Sequence, residues 1–470
     1  MPTEATIIRS KDDVVREVNE TPRLGGRTRM IGTIALGGFF IDAYDFTSLS
    51  AGSVQLQQEF HLDAQTLGLV TAVMAFGAIL GAFSGGYFVD RFGRLKMFMV
   101  NILLFVVATI GAALSPNYGT LVFFRLLIGI GVGLDVPVAM AFLAEFMAVK
   151  KKGKWVESAA AMWSAATIVG LLVALGMNHA GVGTELWRWA VGLGAVPAIV
   201  ILALRFKYMS ESPMWAANRG DLPEAARILS KMNNRPYSVD KNAALNIIEA
   251  KDSPGFFKVM KMLFAKQYRN RSILIVLISA AQSVQFSSVG FYLPLIVFSF
   301  ISKSVDVSLT ASIAANACGL VGALLAGSMV NRLGLRRLSI VGFGAVGVIL
   351  VILGIWGQSL PALLGVALLA LFIGFHTFGP GSTAQSFSAL SYPTQIRGAG
   401  AGLSQAANRT GSLTALFLVP ILLATFGLYG TLFTLVIAPV VGLIALAIVK
   451  WEPIGKNTEE EVEESLVPMH

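Results

Sequence analysis

Gly86-Tyr87-Phe88-Val89-Asp90-Arg91-Phe92-Gly93-Arg94-Leu95-Lys96 returns in altered form as Gly327-Ser328-Met329-Val330-Asn331-Arg332-Leu333-Gly334-Leu335-Arg336-Arg337. Each copy leaves a long apolar run and ends in a basic turn, with its glycines and first arginine at the same offsets. Lys152-Gly153 is echoed in the same way by Arg397-Gly398. A repeat held in register implies two equivalent halves. In a membrane chain, parallel repeats of this kind imply a pseudo-two-fold axis along the bilayer normal, with a solute site between the halves.

Composition places the chain in a membrane. It is 55% hydrophobic and 13% charged over 470 residues, with mean hydropathy +0.70, far from the balance of a soluble domain. Apolar windows of about 20 residues, the length that crosses a hydrocarbon core of about 30 Å as a helix, recur about twelve times. They fall near 30–51, 65–89, 97–114, 120–147, 156–180, 187–208, 271–300, 307–330, 338–357, 361–390, 398–426 and 429–450. The expected fold is an all-α polytopic membrane protein, with twelve transmembrane helices in two six-helix pseudo-symmetric halves. Its expected units are a cytoplasmic tail over 1–29, one bundle over 30–208, a cytoplasmic helical linker over 209–270, a second bundle over 271–450 and an acidic cytoplasmic tail over 451–470. In the linker, Asp221-Leu222-Pro223-Glu224 reads as a capped helix start.

The formal charge of +9 does not point to nucleic acid, because the basic residues cluster on alternate loops and on the linker. By the positive-inside rule both termini are cytoplasmic, and the expected location is a bacterial inner membrane, in contact with lipid. No cleavable signal peptide is evident. The single Cys318 excludes a disulfide within one chain. A phosphate-cradling glycine loop with its lysine is lacking, as is a metal-ligand cluster among four histidines, so neither enzyme chemistry, a cofactor nor a metal is expected.

Charges inside the spans mark the chemistry. Asp42 and Asp45 lie in the first span, one turn apart on one face, where a carboxylate costs at least about 2.5 kcal/mol on insertion scales. At about 1.5 Å per residue, Asp45 stands about 22 Å above the cytoplasmic face and Arg125 of the fourth span about 8 Å below the outer one. The two depths coincide across the core. Arg125 is therefore expected to hold Asp45 as a proton-coupling pair, with Asp42 and, nearer the cytoplasm, Asp135 on the same route. Arg409 lies about 17 Å deep in the eleventh span, where its fork suits a carboxylate or phosphate. Gln282, Gln285 and Tyr292 form a polar stripe on the seventh span. His376 stands beside the Gly379-Pro380-Gly381 interruption of the tenth, where a break could line a cavity.

Several motifs in register resemble the major facilitator superfamily over almost the whole chain. The Gly-x-x-x-Asp-Arg-x-Gly-Arg loop is similar to that superfamily's hallmark. The resemblance implies a conformational clamp of Asp90, Arg91, Gly93 and Arg94 with Glu145, Arg332 and Arg397; the second copy departs from the pattern at Asn331 and Leu335. Arg125-x-x-x-Gly129-x-Gly131-x-Gly133, Trp187-Arg188-Trp189 and Glu211-Ser212-Pro213 resemble the branch of sugar porters, metabolite:proton symporters and phosphate:proton symporters. Ser287 and Thr383 stand where sugar porters carry an Asn and a Trp, whereas Phe39-Phe40-Ile41-Asp42-Ala43-Tyr44-Asp45 and Gly133-Leu134-Asp135 resemble the phosphate symporters more. The expected function is proton-coupled uptake of a small anionic metabolite by alternating access, in a monomer. A sugar:proton symporter, an exporter and a transport-inactive receptor on the same fold are the alternatives.

Overall fold

The computed structural model describes residues 5–20, 26–51, 53–62, 64–146, 149–240, 256–290, 293, 296–297, 305–456 and 458. Tyr292 and the acidic run from Glu459 lie outside the described residues. The first half comprises β1 (Thr6–Ile8), α1 (Lys11–Glu20), α2 (Gly26–Ala51), α3 (Ser53–Phe60), α4 (Ala64–Phe92), α5 (Arg94–Ala113), α6 (Tyr118–Phe146), α7 (Val149–His179), α8 (Leu186–Gly192) and α9 (Ala195–Tyr208). Then come α10 (Pro213–Asn218), α11 (Leu222–Asn233), β2 (Tyr237–Val239) and α12 (Phe256–Leu263). The second half comprises α13 (Arg269–Gly290), α14 (Val305–Leu333), α15 (Leu335–Trp356), α16 (Ala362–Phe378), α17 (Pro380–Leu390), α18 (Arg397–Thr434) and α19 (Ile437–Ile448).

Among the described residues, ten helical segments are long and apolar enough to cross a bilayer. The first two spans of the twelve-helix arrangement are α2 and α4. Hydropathy undervalues α2 because Arg27, Arg29, Asp42 and Asp45 interrupt its apolar run. The tenth span breaks between α16 and α17 at Gly379 (φ −114°, ψ −105°), where Pro380 has no N–H to continue the ladder. Helix α18 kinks at Gly427 (φ 65°), so its last turns already belong to the twelfth span.

Helices α4 and α6 pack with their backbones in contact. A β-carbon on Gly129 would stand 2.1 Å from the Met74 carbonyl oxygen, and one on Gly133 2.2 Å from that of Ala78. The glycine spacing of the fourth span is therefore a packing face that admits nothing larger. Across the halves, α4 packs on α18 and α7 on α14.

The amino-terminal segment expected as a tail is folded. β1 runs parallel to β2, with Ile8 opposite Val239. Helix α1 buries Val14, Val15 and Val18 in the cluster that holds Met214, Ala225, Leu229 and Met232 of α10 and α11, and Tyr237 donates to Glu17 at 2.8 Å. The valines at i, i+1 and i+4 form one helical face, which gains its value only once the linker supplies a surface to cover it. Helix α11 is capped as its sequence predicts, Asp221 accepting from the Glu224 N–H.

Candidate functional site

On the linker side the two halves are tied together through Arg94, which is fully buried. Gly93 adopts φ 103°, a conformation open to glycine at little cost, and this turns the chain so that Arg94 points back into the bundle. Its guanidinium meets Glu145 at 2.7 Å and Asp90 at 3.0 Å, and donates to the Thr394 carbonyl of the other half at 3.2 Å. Arg397 reaches Glu145 from that half at 3.5 Å. Asp90 accepts from the N–H groups of Gly398 and Ala399 at 3.2 and 3.0 Å, so a carboxylate of α4 caps the positive end of α18.

Two expected clamp residues are elsewhere. Arg91 is exposed and donates to Tyr87; Arg94, not Arg91, is the residue that faces the partner half. The counterpart of Arg91, Arg332, is exposed as well, and in that copy Asn331 and Leu335 stand in place of the Asp90 and Arg94 that bridge the halves in the first. The repeat survives in a feature the sequence reading missed. Glu211 accepts from the N–H groups of Arg94 and Leu95 at 2.8 and 3.1 Å, and Glu452 accepts from those of Leu335 and Arg336 at 3.1 and 2.9 Å. Burial pushes the Glu211 carboxyl up from its ordinary value, against the N–H bonds and the Arg94 charge that favour the carboxylate. A Glu followed within two residues by Pro after the last span of each half was the available signal.

Within the first half, Arg125 Nη1 meets Asp45 at 3.0 Å, with both side chains 1% exposed. The depth arithmetic thus leads to a real contact. Asp42 is buried, and its Oδ2 has no hydrogen-bond partner among the described residues. Asp135 pairs with Arg205 of α9 at 3.1 Å and accepts from Asn101 at 2.6 Å, while its Oδ2 has no partner among the described residues. Gly38 makes room for that carboxylate, since a β-carbon there would fall 1.4 Å from Oδ2. Asp42 and Asp135 line one small cavity of about 10 Å³, and Asp42 is within electrostatic reach of Asp135, Asp45, Arg205 and Arg409. Arg205 was not foreseen. It sits near the end of its span, where a lone arginine reads as interfacial, yet it is fully buried over the Phe98 ring at 4.1 Å.

Between the halves lies a cavity of about 90 Å³. Phe39, Phe46 and Trp163 face it from the first half; Gln282, Phe286, His376 and Arg409 face it from the second. Gln285 stands behind this wall, bonding His376 Nδ1 at 2.9 Å, and it thereby holds the imidazole stacked on Phe286 with centroids 4.7 Å apart. The polar stripe on the seventh span therefore divides between a cavity-facing amide and a positioning one. With the Gln405 amide oxygen turned toward it, Arg409 donates from Nε and Nη2 at 3.1 and 3.2 Å.

A family model described as sugar (and other) transporter matches residues 30–464. The chain belongs to that family, within the major facilitator superfamily. The transporter is 27% identical over 437 residues to the putative metabolite transport protein YwtG of Bacillus subtilis (strain 168), covering 91% of this chain and 92% of that one. It is 28% identical to a D-xylose transporter of Levilactobacillus brevis, covering 85% and 87%. Its fold matches a solved structure of the proton:xylose symporter XylE bound to 6-bromo-6-deoxy-D-glucose, with TM-score 0.79 at 20% identity over 93% of this chain and 98% of that one. The transporter is thus a multi-pass membrane protein and not an enzyme. Its named relatives favour the sugar alternative over the anionic solute expected from Arg409.

Proposed function

We propose that the transporter carries a small organic solute inward together with protons, by alternating access between its halves. The observation that carries this reading is the sealed Arg125–Asp45 pair. A guanidinium keeps its charge, so a proton delivered to Asp45 removes the partner that Arg125 holds and frees α6 to move against α2, which couples proton uptake to movement. Asp42 and Asp135, with Arg205 beside the latter, continue the route toward the cytoplasm. Inward opening then requires release of the Asp90 cap on α18 and of the Arg94–Glu145–Arg397 cluster. Basic loops support the placement of both termini in the cytoplasm and of the protein in a bacterial inner membrane, working as a monomer.

Two substrate readings have support. A sugar is favoured by the xylose-carrying relatives, and a carboxylate by Arg409, the one charged residue among the described residues lining the central cavity. The test of coupling is uptake into proteoliposomes of each solute that stabilises the purified protein. Uptake should accelerate with an inward proton gradient and collapse with a protonophore; uptake indifferent to both would refute coupling.

A further inference from the structure

We infer that the central cavity takes a sugar acid, a polyhydroxylated ring or chain bearing one carboxylate. This rests on the carboxylate reading of Arg409 and joins it to the chemistry of the remaining wall. Arg409 is 9% exposed and makes no ion pair among the described residues; a neutral amide, Gln405, is its hydrogen-bond partner. No carboxylate among the described residues lines the same cavity. Asp42 is within electrostatic reach of Arg409 but forms no ion pair with it among the described residues, and a substrate carboxylate would supply the charged, two-pronged partner that a neutral amide cannot. A neutral sugar would leave the cation as it is.

The rest of the wall is set for hydroxyl groups. The amides of Gln282, Gln385 and Asn408 and the hydroxyls of Ser283, Ser287 and Ser412 line the cavity. Ser283 donates to Asn408 at 3.4 Å, and Ser287 and Ser412 share a bond at 2.7 Å, so these pairs satisfy one another across α13 and α18 and can exchange partners with a solute. A plain aliphatic or aromatic acid would make none of these exchanges, and a site built to bond hydroxyls discriminates against analogues that lack them. Phe46, Trp163 and Phe286 add apolar faces for the C–H side of a ring, which inorganic phosphate could not use.

The test is binding to the purified full-length protein by calorimetry and thermal stabilisation, with D-glucuronate, D-gluconate, D-glucose, D-xylose and cyclohexanecarboxylate as probes. One of the sugar acids should bind at least about 10-fold more tightly than both glucose and cyclohexanecarboxylate. Arg409→Gln should weaken it about 100-fold while leaving neutral sugars within about 3-fold. Should that variant fail to fold, Asn408→Ala serves in its place, weakening the sugar acid but not cyclohexanecarboxylate. Glucose or xylose binding as tightly as the sugar acids would overturn the inference together with the carboxylate reading. Cyclohexanecarboxylate binding as tightly would overturn the inference and leave that reading standing. No binding of any sugar acid by a cooperatively melting protein would overturn it as well. Proton coupling is decided separately, by the gradient experiment.

Discussion

Replacing Asp45 by Asn is the sharpest perturbation of the proposed coupling, because it changes one charge and almost no volume. Both members of the Arg125–Asp45 pair are 1% exposed, and Arg125 otherwise contacts the Met74 sulfur at 2.7 Å. The variant leaves a buried guanidinium without a counter-charge, and breaking such a pair from one side costs about 3–5 kcal/mol; the retained amide oxygen places Asp45→Asn toward the low end. Coupling should fail altogether. With one proton per solute, an inward gradient of one pH unit supports about 10-fold accumulation, and the variant should equilibrate its solute and stop. The assay is paired uptake in proteoliposomes, with solute exchange measured at equal pH alongside gradient-driven accumulation. Exchange should persist where accumulation is lost. The double variant Asp45→Asn/Arg125→Met removes the orphaned cation and should recover most of the lost thermal stability without recovering accumulation. Gradient-driven accumulation retained by Asp45→Asn would refute the reasoning at its root.

Asp90→Ala removes two bonds to the start of α18 and with them about 1–2 kcal/mol of a cross-half cap; spin labels on the linker-side ends of α4 and α18, in a Cys318→Ser background, should report a population shifted about 5- to 30-fold toward the separated state. Gly133→Val places a side chain against the Ala78 carbonyl, where even a β-carbon falls at 2.2 Å, and should lower the melting temperature and membrane yield far more than Gly131→Val, whose nearest neighbour is 3.4 Å away. At the opposite end, Glu59 accepts from Trp187 at 2.6 Å and from Arg188. Burial works against its charge, but these bonds outweigh it and hold the carboxyl below its ordinary value. The tie is then fully present above the unfolded value and is lost as pH falls through the lower folded one. Its contribution, partly exposed and screened, is no more than about 1 kcal/mol. Melting temperature should therefore fall on acidification below about pH 4.5, and Glu59→Gln should blunt that fall.

Much of the architecture was legible because the bilayer restricts the choices. Apolar length and alternate basic loops define spans, the repeated basic turns define halves, and counting residues along α2 and α6 was enough to bring Asp45 to Arg125, since depth is a one-dimensional coordinate. The same counting could not tell which way a side chain turns around its helix. Arg91 and Arg94 are three residues apart in the same motif, yet only the turn at Gly93 decides that Arg94 enters the interface while Arg91 stays in solvent. Gln285 and Gln282 likewise lie on one stripe, but the packing of α13 against α16 leaves the first behind His376 and the second in the cavity.

The sequence by itself determined the fold class, the two-half organisation and the membrane acids, because each rests on hydrophobic length, repeat register or the cost of charge in lipid; the clamp came only through the family resemblance, and Arg91 and Arg332 of that set stay exposed. Only the tertiary structure decided that Arg205 is buried against Asp135, that Glu211 and Glu452 hold equivalent helix starts, and that the amino-terminal valines dock on the linker. It also decided that Arg409 in the central cavity is surrounded by amides and hydroxyls. These depend on contacts between residues distant in the chain, and no local pattern of spacing or hydropathy contains them.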